Sequence, residues 1–580
     1  MSEYIKITIV IDNDKTNTEF GSTDGQSVIV THDSKMTIMS ALLKNNLISG
    51  SFCGGRGDCG RCRIQFVGGV TVPTALERSV LSAEELRQGY RLACLARPKV
   101  DCVIRLALID APKTEIISDM MDVTESIDCL SQCNNSTENS KSDVMESAGT
   151  VDSDTMIAVD LGTTTIAMQL MQMDTGKVID TYCEMNPQRR YGSDVLSRIQ
   201  ASCEGNREIL QKSVLEVLER GVVRFGNRSS DIKCMCIAGN TTMEHLLMGY
   251  DVSSLGRSPF TPVEIGLQEY THPAWDFPVW LMPGISTFVG GDIVAGLYVC
   301  GMLNGMLQGQ IAGQKEYGQL AGQQEQGYAG RADISLLIDL GTNGEMAVTD
   351  GTHMIVTATA AGPAFEGGAG AGIIGSDMIA CTAQLLQQRV MDESGLLTEP
   401  YFTEGVSVHV ADKSQYPQYR FTPGRTGQTL YMTQGDIRSL QMAKAAVRAG
   451  MEVLLKQLEK QRMNEAQQNG MQMGTTQQNG EQTGVQQVER VYLAGGFGYY
   501  LDVEAAFCIG LLPEHMRGHV QAVGNTSLAG AYRIGRALWR REIDGQTLEQ
   551  SLSSAESINL AAQEDFEELY IRYMNFAPVS

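Results

Sequence analysis

Four cysteines form the pattern in this chain with the clearest chemistry. Cys53, Cys59 and Cys62 are separated by five and two residues, and Cys94 follows after 31 more. Thiolates are soft metal ligands, and four of them can hold a pair of irons or a single zinc ion. Glycines at positions 54, 55, 57 and 60 would let backbone N–H groups approach the sulfur atoms closely. The segment therefore predicts a metal-binding loop, with Cys94 returning to it from the strand-like segment YRLACLARP.

The spacing favours iron and sulfide over zinc. It is close to the C-x4-C-x2-C…C arrangement of plant-type [2Fe-2S] ferredoxins, whereas zinc sites usually pair two short knuckles. The sequence resembles the ferredoxin fold of adrenodoxin and related proteins, whose first spacing is also five. That resemblance implies a β-grasp domain over residues 1–105 with a [2Fe-2S] cluster on the four cysteines.

The other ten cysteines are predicted to be structural. The C-x3-C pair Cys129/Cys133 and the C-x-C pair Cys234/Cys236 each lack two further ligands nearby, which disfavours a second metal site. A thiol among apolar neighbours usually packs as a small hydrophobe. This describes six isolated cysteines: Cys102, Cys183, Cys203, Cys300, Cys381 and Cys508.

Three glycine-containing turns predict a second site, for a nucleotide. IAVDLGTTT (157–165) and LLIDLGTNGE (336–345) each place an aspartate at the end of an apolar strand. Such turns cradle phosphate with N–H and hydroxyl groups, while the carboxylate holds Mg²⁺ or its water. YLAGGFG (492–498) would let an adenosine lie against bare backbone. The candidate residues are Asp160, Gly162, Thr163, Thr164, Thr165, Asp339, Gly341, Thr342, Gly344, Gly495, Gly496 and Gly498.

The order of these turns resembles the ATPase superfamily of actin, sugar kinases and chaperones. The two DLGT turns are similar to its phosphate loops, and LAGGFG is similar to its adenosine motif. The resemblance implies a two-lobed ribonuclease-H-like ATPase that binds ATP and Mg²⁺. It also implies two connecting segments: residues 283–301, with Asp292 positioning water or metal, and residues 525–535, with Gly530 and Ala531 at a close helix crossing.

A ferredoxin domain ahead of this ATPase resembles the reductive activators of corrinoid proteins. NPQRRYGSDVLSRI (186–199), AGNTTMEHLLMG (238–249), AGPAFEGG (361–368) and TQGDIRSLQMAKAAVRAG (433–450) are similar to that family's blocks. The resemblance implies ATP-dependent, one-electron reduction of Co(II) to Co(I) in corrinoid-dependent methyl transfer or demethylation. The implied partners are a corrinoid protein and an upstream electron donor, and related proteins suggest a homodimer.

Other readings of the same motifs stay open. An activator of 2-hydroxyacyl-CoA dehydratases shares the ATPase fold but carries its cluster within it. An iron-sulfur redox sensor would use the nucleotide fold as a binding module, and a small-molecule kinase would leave the cluster unexplained. The family resemblance also implies a small middle domain where this chain has about 50 irregular residues. Phe365 and Glu366 are candidate contacts for the corrinoid partner, although an ordinary strand-to-helix turn fits them equally well.

The elements that position these residues can be predicted from their periodicity. Residues 4–11 and 27–30 are rich in β-branched residues and predict a hairpin, with a helix following the capping candidates Asp33 and Ser34. Apolar residues from Ile437 to Leu458 predict a helix of roughly 20 residues. From residue 156 onward, strands alternate with helices, which is typical of α/β layers. The expected fold class is therefore multidomain α+β and α/β.

Composition sets the boundaries of these domains. The predicted order is 1–105 ferredoxin-type, 106–154 linker, 155–307 first lobe and 333–580 second lobe, with insertions at 308–332 and 464–488 that repeat Gln and Gly. Lys and Arg number 45 against 68 Asp and Glu, a net charge of −23. Such a charge disfavours nucleic acid and anionic membranes as partners. Without a secretory signal or an apolar span, we expect a cytoplasmic protein with reduced thiols.

Overall fold

The computed structural model describes most of the chain outside its low-complexity segments. The described residues are 4–12, 26–45, 57, 62–81, 83–107, 154–192, 194–226, 231–308, 333–341, 343–359, 361, 365, 375–397, 418–421, 430–468, 488–495, 498 and 501–578. The predicted linker, most of both insertions, Cys129 and Cys133 lie outside this set. The chain forms two compact units. One contains the N-terminal sheet and residues 185–214, and the other contains the two large sheets that follow.

The N-terminal unit is built on a mixed sheet whose strand order is β2-β1-β5-β3-β4. Its first two strands pair antiparallel, so the predicted hairpin is confirmed. Ile5, Ile7 and Ile9 alternate inward and are 5 %, 0 % and 0 % exposed. The strands are β1 (Tyr4–Asp12), β2 (Gln26–Asp33), β3 (Arg63–Gly68), β4 (Tyr90–Leu92) and β5 (Cys102–Ala107).

A short helix, Ile38–Lys44, covers the apolar face of this sheet. Its cap differs from the prediction: the Ser40 N–H donates to Thr37 Oγ1 at 3.3 Å, while Asp33 accepts instead from the Lys35 N–H at 2.8 Å. The chain needs a turn between β2 and the helix, and Asp33 and Ser34 are used in that turn. The other helices of this region are Ala75–Val80 and Ala83–Arg87.

The predicted first lobe contains a sheet of order β10-β11-β9-β6-β7-β8. β6 pairs antiparallel with β7 and parallel with β9, so β6 lies at the centre. The strands are β6 (Thr155–Leu161), β7 (Thr165–Gln172), β8 (Val178–Met185), β9 (Ile232–Gly239), β10 (Gln268–Tyr270) and β11 (Val279–Leu281). The helices of residues 155–308 are Val195–Ala201, Arg207–Gly226, Thr241–Met248, Gly291–Val299 and Asn304–Gln308.

The second lobe repeats this arrangement in the order β18-β17-β12-β13-β14-β19. The strands are β12 (Ile334–Leu340), β13 (Gly344–Thr349), β14 (Met354–Thr359), β17 (Val488–Ala494), β18 (Val520–Gly524) and β19 (Ala555–Ser557), with a separate ribbon of β15 (Gln418–Phe421) and β16 (Leu430–Thr433). The helices are Gly375–Gln387, Gln434–Gln468, Val503–Cys508, Thr526–Trp539, Gly545–Leu552 and Phe566–Arg572. The carboxyl ends of β6 and β12 are therefore equivalent positions in the two lobes.

Two connecting helices, Gly291–Val299 and Thr526–Trp539, cross at close range between the lobes. A Cβ atom on Gly530 would lie 2.4 Å from Ala295 Cβ, so only glycine allows this approach. The close crossing expected at Gly530 is thus present in the structure.

The long helix Gln434–Gln468 exceeds the roughly 20 residues predicted and continues into the expected insertion at 464–488. Polar contacts rather than apolar periodicity hold its last turns. Arg462 Nε lies 3.3 Å from Asp350 Oδ2, and Glu465 Oε1 lies 3.2 Å from His353 Nε2. Apolar spacing alone underestimates a helix stabilised in this way.

Candidate functional site

Two of the four predicted cluster cysteines lie together in the structure. The sulfur atoms of Cys62 and Cys94 are 3.3 Å apart, which is too long for a disulfide of about 2.05 Å. Two thiolates on one tetrahedral metal are about 3.8 Å apart when the metal–sulfur bonds are about 2.3 Å. The two sulfur atoms are therefore close enough for both to bind one metal ion. Cys53 and Cys59 lie outside the described residues.

The local fold fixes Cys94 in a turn rather than in a strand. β4 ends at Leu92, and the Ala93 N–H donates to the Cys62 carbonyl at 2.8 Å. The buried carboxylate of Glu77 stabilises this turn by accepting from the Leu92 N–H at 2.9 Å. Glu77 also forms a capping box with Thr74 at the start of its own helix. These bonds hold the two thiols at adjacent positions.

Gly57 shows why the cysteine loop requires glycine. Its φ is +82°, and a Cβ atom there would lie 2.6 Å from Leu95 Cδ1. The left-handed backbone conformation favours glycine at this position, since residues with a Cβ rarely adopt it. Gly57 thus lies close to Leu95, next to Cys94 in the chain.

The remaining cysteines are mostly structural, as predicted, with one exception. Cys102, Cys300 and Cys381 are buried, and burial raises the pKa of Cys300 and Cys381 to about 12. Cys183 and Cys508 are partly buried, but Cys203 is exposed, so the packing role predicted for Cys203 is wrong. Cys203 lies in the π-helical turn Ser202–Asn206 after the helix Val195–Ala201, and Gly205 kinks this turn with a φ of +94°.

Cys234 and Cys236 do not form a second metal site with other described residues. Both side chains are 0 % exposed in the core of the first lobe. Burial raises the pKa of the Cys234 thiol to about 12, and burial also raises the pKa of Cys236 well above its usual value. Protonated thiols are poor ligands, so these two cysteines act as small apolar side chains.

The three predicted catalytic aspartates meet at the cleft between the two lobes. Asp160 and Asp339 are the penultimate residues of β6 and β12, and Asp292 lies in the first turn of the helix Gly291–Val299. Burial raises the pKa of Asp160 to about 6 and that of Asp292 to about 7. Burial, and then the charges of Asp292 and Asp160, raise the pKa of Asp339 to about 8. The cleft therefore concentrates negative charge that a bound cation would neutralise.

The side chains of this site offer carboxylate oxygens, the ligand type that Mg²⁺ uses in proteins. In the part of the chain that the structure describes, no three His, Cys, Asp or Glu side chains lie close enough together to ligate a metal ion. Mg²⁺ keeps several waters and commonly binds through one or two carboxylates plus substrate phosphates. The acidic cleft accordingly suits a magnesium–nucleotide complex.

Glycines let two turns pack their backbone closely beside these carboxylates. Gly495 has φ +87°, and a Cβ atom there would lie 2.5 Å from Asp339 Oδ1. A Cβ atom on Gly162 would lie 2.6 Å from the Thr165 carbonyl oxygen. The turns after β6 and β17 therefore bring bare backbone to the cleft.

The other predicted nucleotide residues occupy the same turns. Thr163 and Thr164 lie between β6 and β7, Thr165 begins β7, and all three are partly buried. The Gly341 N–H donates to the Asn343 carbonyl at 3.0 Å. Gly344 begins β13. Gly498 lies over Leu493 of β17, whose carbonyl carbon would be 3.2 Å from a Cβ atom there. Thr342 and Gly496 lie outside the described residues.

Four polar residues of the cleft were not predicted as site residues. Asn525 Nδ2 donates to Asp160 Oδ2 at 2.7 Å, and Asn240 Nδ2 donates to Glu345 Oε1 at 2.8 Å. Glu244 is buried beside Asp292 and accepts from the Gly239 N–H at 3.1 Å. Each belongs to a quoted segment. Asn240 and Asn525 directly follow the strands that end at Gly239 and Gly524, but a polar residue in that position does not show which carboxylate it contacts.

Phe365 is not a partner contact. Its side chain is 1 % exposed in the apolar core of the second lobe, with Met378 and Leu440 in the same cluster. The strand-to-helix turn is therefore the correct explanation for Phe365, while Glu366 lies outside the described residues.

Comparison with family models agrees with this division of the chain. Residues 22–99 match the 2Fe-2S iron-sulfur cluster binding domain. Residues 155–305 match the RACo middle region, so that description covers the first lobe rather than the preceding linker. Residues 333–371, 369–472 and 476–579 match the C-terminal domain of RACo, the ASKHA domain.

Two curated relatives are similar over most of the chain. The corrinoid activation enzyme RamQ of Eubacterium limosum is 26 % identical over 427 residues, covering 65 % of this chain and 63 % of that protein. The alignment thus spans less than two thirds of the RamQ sequence. The [Co(II) methylated amine-specific corrinoid protein] reductase of Methanosarcina barkeri is 22 % identical over 451 residues, covering 72 % of this chain and 76 % of that protein.

A solved structure shows the same fold over the full length. The reductive activator for corrinoid, iron-sulfur protein superposes with a TM-score of 0.56 at 22 % identity, covering 99 % of this chain and 98 % of that one. Fold and family models together define a ferredoxin-type iron-sulfur domain joined to an actin-like ATPase domain. Because both RACo models match and together cover more than half of the chain, it belongs to the family of reductive activators of corrinoid proteins. Among the described residues, no helix is both long and apolar enough to cross a membrane.

Proposed function

We propose that this protein is an ATP-dependent iron-sulfur enzyme that reduces the Co(II) form of a corrinoid protein to Co(I). The observation that carries the proposal is the presence, in one chain, of the adjacent Cys62 and Cys94 thiols and of an acidic cleft between two actin-like lobes. The names of the relatives support the same activity.

The thermodynamics explain why such a reaction would use ATP. A corrinoid carrier that loses one electron falls into inert Co(II), and its repair needs an electron at very low potential. Plant-type clusters have potentials near about −400 mV. For one electron, about 59 mV is a tenfold equilibrium factor, so a deficit of about 100–200 mV costs about 2–5 kcal/mol. Nucleotide binding and hydrolysis can supply a free energy of that size.

The residues of the N-terminal domain would hold the electron-carrying group. Cys53, Cys59, Cys62 and Cys94 are the proposed ligands, and when bound, the [2Fe-2S] cluster would supply one electron at a time. The hydrogen bond from the Ala93 N–H to the Cys62 carbonyl would help to hold two of these ligands side by side.

The residues of the cleft would bind and turn over the nucleotide. Asp160 and Asp339 would hold hydrated Mg²⁺, and Asp292 would orient the attacking water. The threonines at 163, 164, 165 and 342, with Gly162, Gly341 and Gly344, would bind phosphate through hydroxyl and N–H groups. Gly495, Gly496 and Gly498 would accommodate the adenosine. The lobes would close around the nucleotide, as other two-lobed proteins close around their ligands. This closure would drive the reduction.

The partners and setting belong to the same proposal. The protein would receive electrons from an upstream donor, dock to a corrinoid protein of a methyltransferase system in the cytoplasm, and act as a homodimer. Its acidic composition supports protein partners rather than nucleic acid or anionic membrane.

Replacement of Asp160 by alanine tests whether the nucleotide site can be inactivated without loss of the iron-sulfur cluster. Asp160→Ala should abolish ATP-dependent Co(I) formation, because the cation loses a carboxylate, while the visible spectrum of the reconstituted cluster stays unchanged. Asp276→Ala, which removes an exposed carboxylate of the first lobe, is the matched control. Loss of the cluster spectrum together with activity in Asp160→Ala would contradict the proposal.

A further inference from the structure

Glu345 is a fourth carboxylate directly beside the proposed catalytic aspartates. It pairs with Asp339 across the β12–β13 ladder, and its side chain is 6 % exposed. Burial first, and then the charges of Asp292 and Asp339, raise the pKa of Glu345 well above the usual range. A carboxylate in such surroundings is costly to keep unless it has a polar partner or a function.

Its partner comes from the other lobe. Asn240 follows β9 of the first lobe and caps the helix Thr241–Met248, where its Oδ1 accepts from the Thr242 N–H at 3.0 Å. The Nδ2 of the same amide donates to Glu345 Oε1 at 2.8 Å. One end of the side chain is therefore fixed to its own helix, and the other end crosses the cleft.

A second asparagine uses its amide in the same way. Asn525 follows β18 and caps the helix Thr526–Trp539, with its Oδ1 accepting from the Leu528 N–H at 2.9 Å. Its Nδ2 donates to Asp160 at 2.7 Å. In both cases a helix cap holds the amide rigidly and presents its N–H to a carboxylate that lies on a strand of the opposite sheet.

We infer that Glu345 belongs to the ATP site and that Asn240 positions it across the cleft, so that the full set of carboxylates is assembled only when the lobes are closed. Asn240 is thus a positioning residue that acts through Glu345. The inference rests on the proposed ATPase function and names the contact that couples lobe closure to turnover.

Because Asn240 uses its oxygen for the helix cap and its nitrogen for Glu345, a substitution can remove the hydrogen bond to Glu345 and keep the cap of the helix Thr241–Met248. Asn240→Ser keeps a capping oxygen but is too short to reach Glu345. Because a hydrogen bond to a charged group is lost, kcat for ATP hydrolysis should fall by about tenfold to a hundredfold. KM for MgATP should change by less than about threefold, since the phosphate and adenosine turns are untouched. Asn559→Ser, at a capping asparagine of a separate turn, should leave both constants unchanged.

Exchanging the amide and the carboxylate between positions 240 and 345 tests whether lobe closure requires the hydrogen bond itself or a carboxylate at position 345. Glu345→Gln alone should lower kcat, and Asn240→Asp alone should lower it further by placing two carboxylates together. In the variant that carries both substitutions, the new amide on β13 can donate to the new carboxylate at the helix cap, so the bond returns in the opposite direction. In wild type, Mg²⁺ and a non-hydrolysable ATP analogue should protect the β13 amides from hydrogen exchange, and each single variant should lose this protection. The double variant should regain it.

The outcomes distinguish this inference from the proposed function. If wild-type protein binds no ATP, the proposed function fails. If wild-type protein hydrolyses ATP and Asn240→Ser keeps kcat within about twofold, or raises KM and lowers the melting temperature at constant kcat, Asn240 is merely structural and the inference is overturned. Failure of the double variant to restore β13 protection would also contradict it.

Discussion

The cysteine site and the nucleotide cleft are assembled in opposite ways. Cys62 and Cys94 belong to one sheet domain and are held by bonds within it, such as that between Ala93 and Cys62. The carboxylates of the cleft come from distant segments, and the bond from Asn240 to Glu345 joins residues 105 positions apart in two lobes. The cluster region can therefore form without lobe movement, whereas the ATP site depends on closure. This contrast implies that each site can be damaged separately.

Replacing a cluster ligand should give the largest difference between the two sites, because it should destroy one site and leave the other intact. Cys94→Ser should remove iron and acid-labile sulfide from reconstituted protein and abolish electron transfer, because an iron loses a thiolate. ATP binding, measured by calorimetry, should stay unchanged. Cys203→Ser, at an exposed cysteine, is the control and should keep the full cluster. Loss of ATP affinity in Cys94→Ser would mean that the two sites do not assemble independently.

A smaller effect, on ATP affinity, is expected when the crossing of the helices Gly291–Val299 and Thr526–Trp539 is forced apart. In Gly530→Val, the new side chain would meet Ala295, whose Cα atom would be 2.5 Å from the added Cβ. Overpacking of this kind costs about 1–3 kcal/mol, so ATP affinity should fall by about tenfold while the cluster spectrum is kept. Gly226→Val, where a Cβ atom meets nothing within 4 Å, should leave ATP affinity unchanged. Equal affinities in the two variants would show that closure does not need the tight crossing.

The smallest effect is a pH dependence of stability in nucleotide-free protein. Burial raises the pKa of Asp160, Asp292 and Asp339 to about 6, 7 and 8 in the folded state, above the usual value of about 4 in an unfolded chain. The folded state then binds more protons, so the free energy of unfolding falls as the pH rises from about 5 to about 8.

Asp339→Asn should therefore melt higher than wild type at pH 8 and similarly at low pH. For a change of about 1–2 kcal/mol in a unit of this size, the melting temperatures at pH 8 should differ by about 1–3 °C, measured by calorimetry. Asp276→Asn serves as the control, because its carboxylate is exposed. A wild-type stability that rises between pH 6 and pH 8 would show that the cleft does not hold these protons.

The cluster region was the easier of the two to predict from sequence. The cysteine spacing is local, and the alternation of Ile5, Ile7 and Ile9 fixes one buried face, so the hairpin followed directly. The helix cap at Thr37 was missed because Asp33 and Ser34 have the same capping chemistry and lie in the adjacent turn. The exposure of Cys203 was missed because apolar neighbours in sequence do not determine which side of a bend faces solvent.

The cleft could be predicted only in part. Asp160 and Asp339 follow apolar strands and stand in repeated turns, which sequence shows plainly. Glu345 becomes part of the site through its register with Asp339, and Asn240 through a contact between lobes. Neither relation is local, so neither is visible in one sequence. The length of the helix Gln434–Gln468 depends likewise on distant partners such as Asp350.

The central claim is that ATP drives an electron from the cluster to a corrinoid. The direct measurement is Co(I) formation, followed by its absorption spectrum, when anaerobically reconstituted protein is mixed with titanium(III) citrate and a Co(II) corrinoid protein purified from the same organism. The account predicts Co(I) formation with MgATP, and little with ADP or without nucleotide. Equal Co(I) formation with and without ATP, or none under any condition despite an intact cluster, would contradict it.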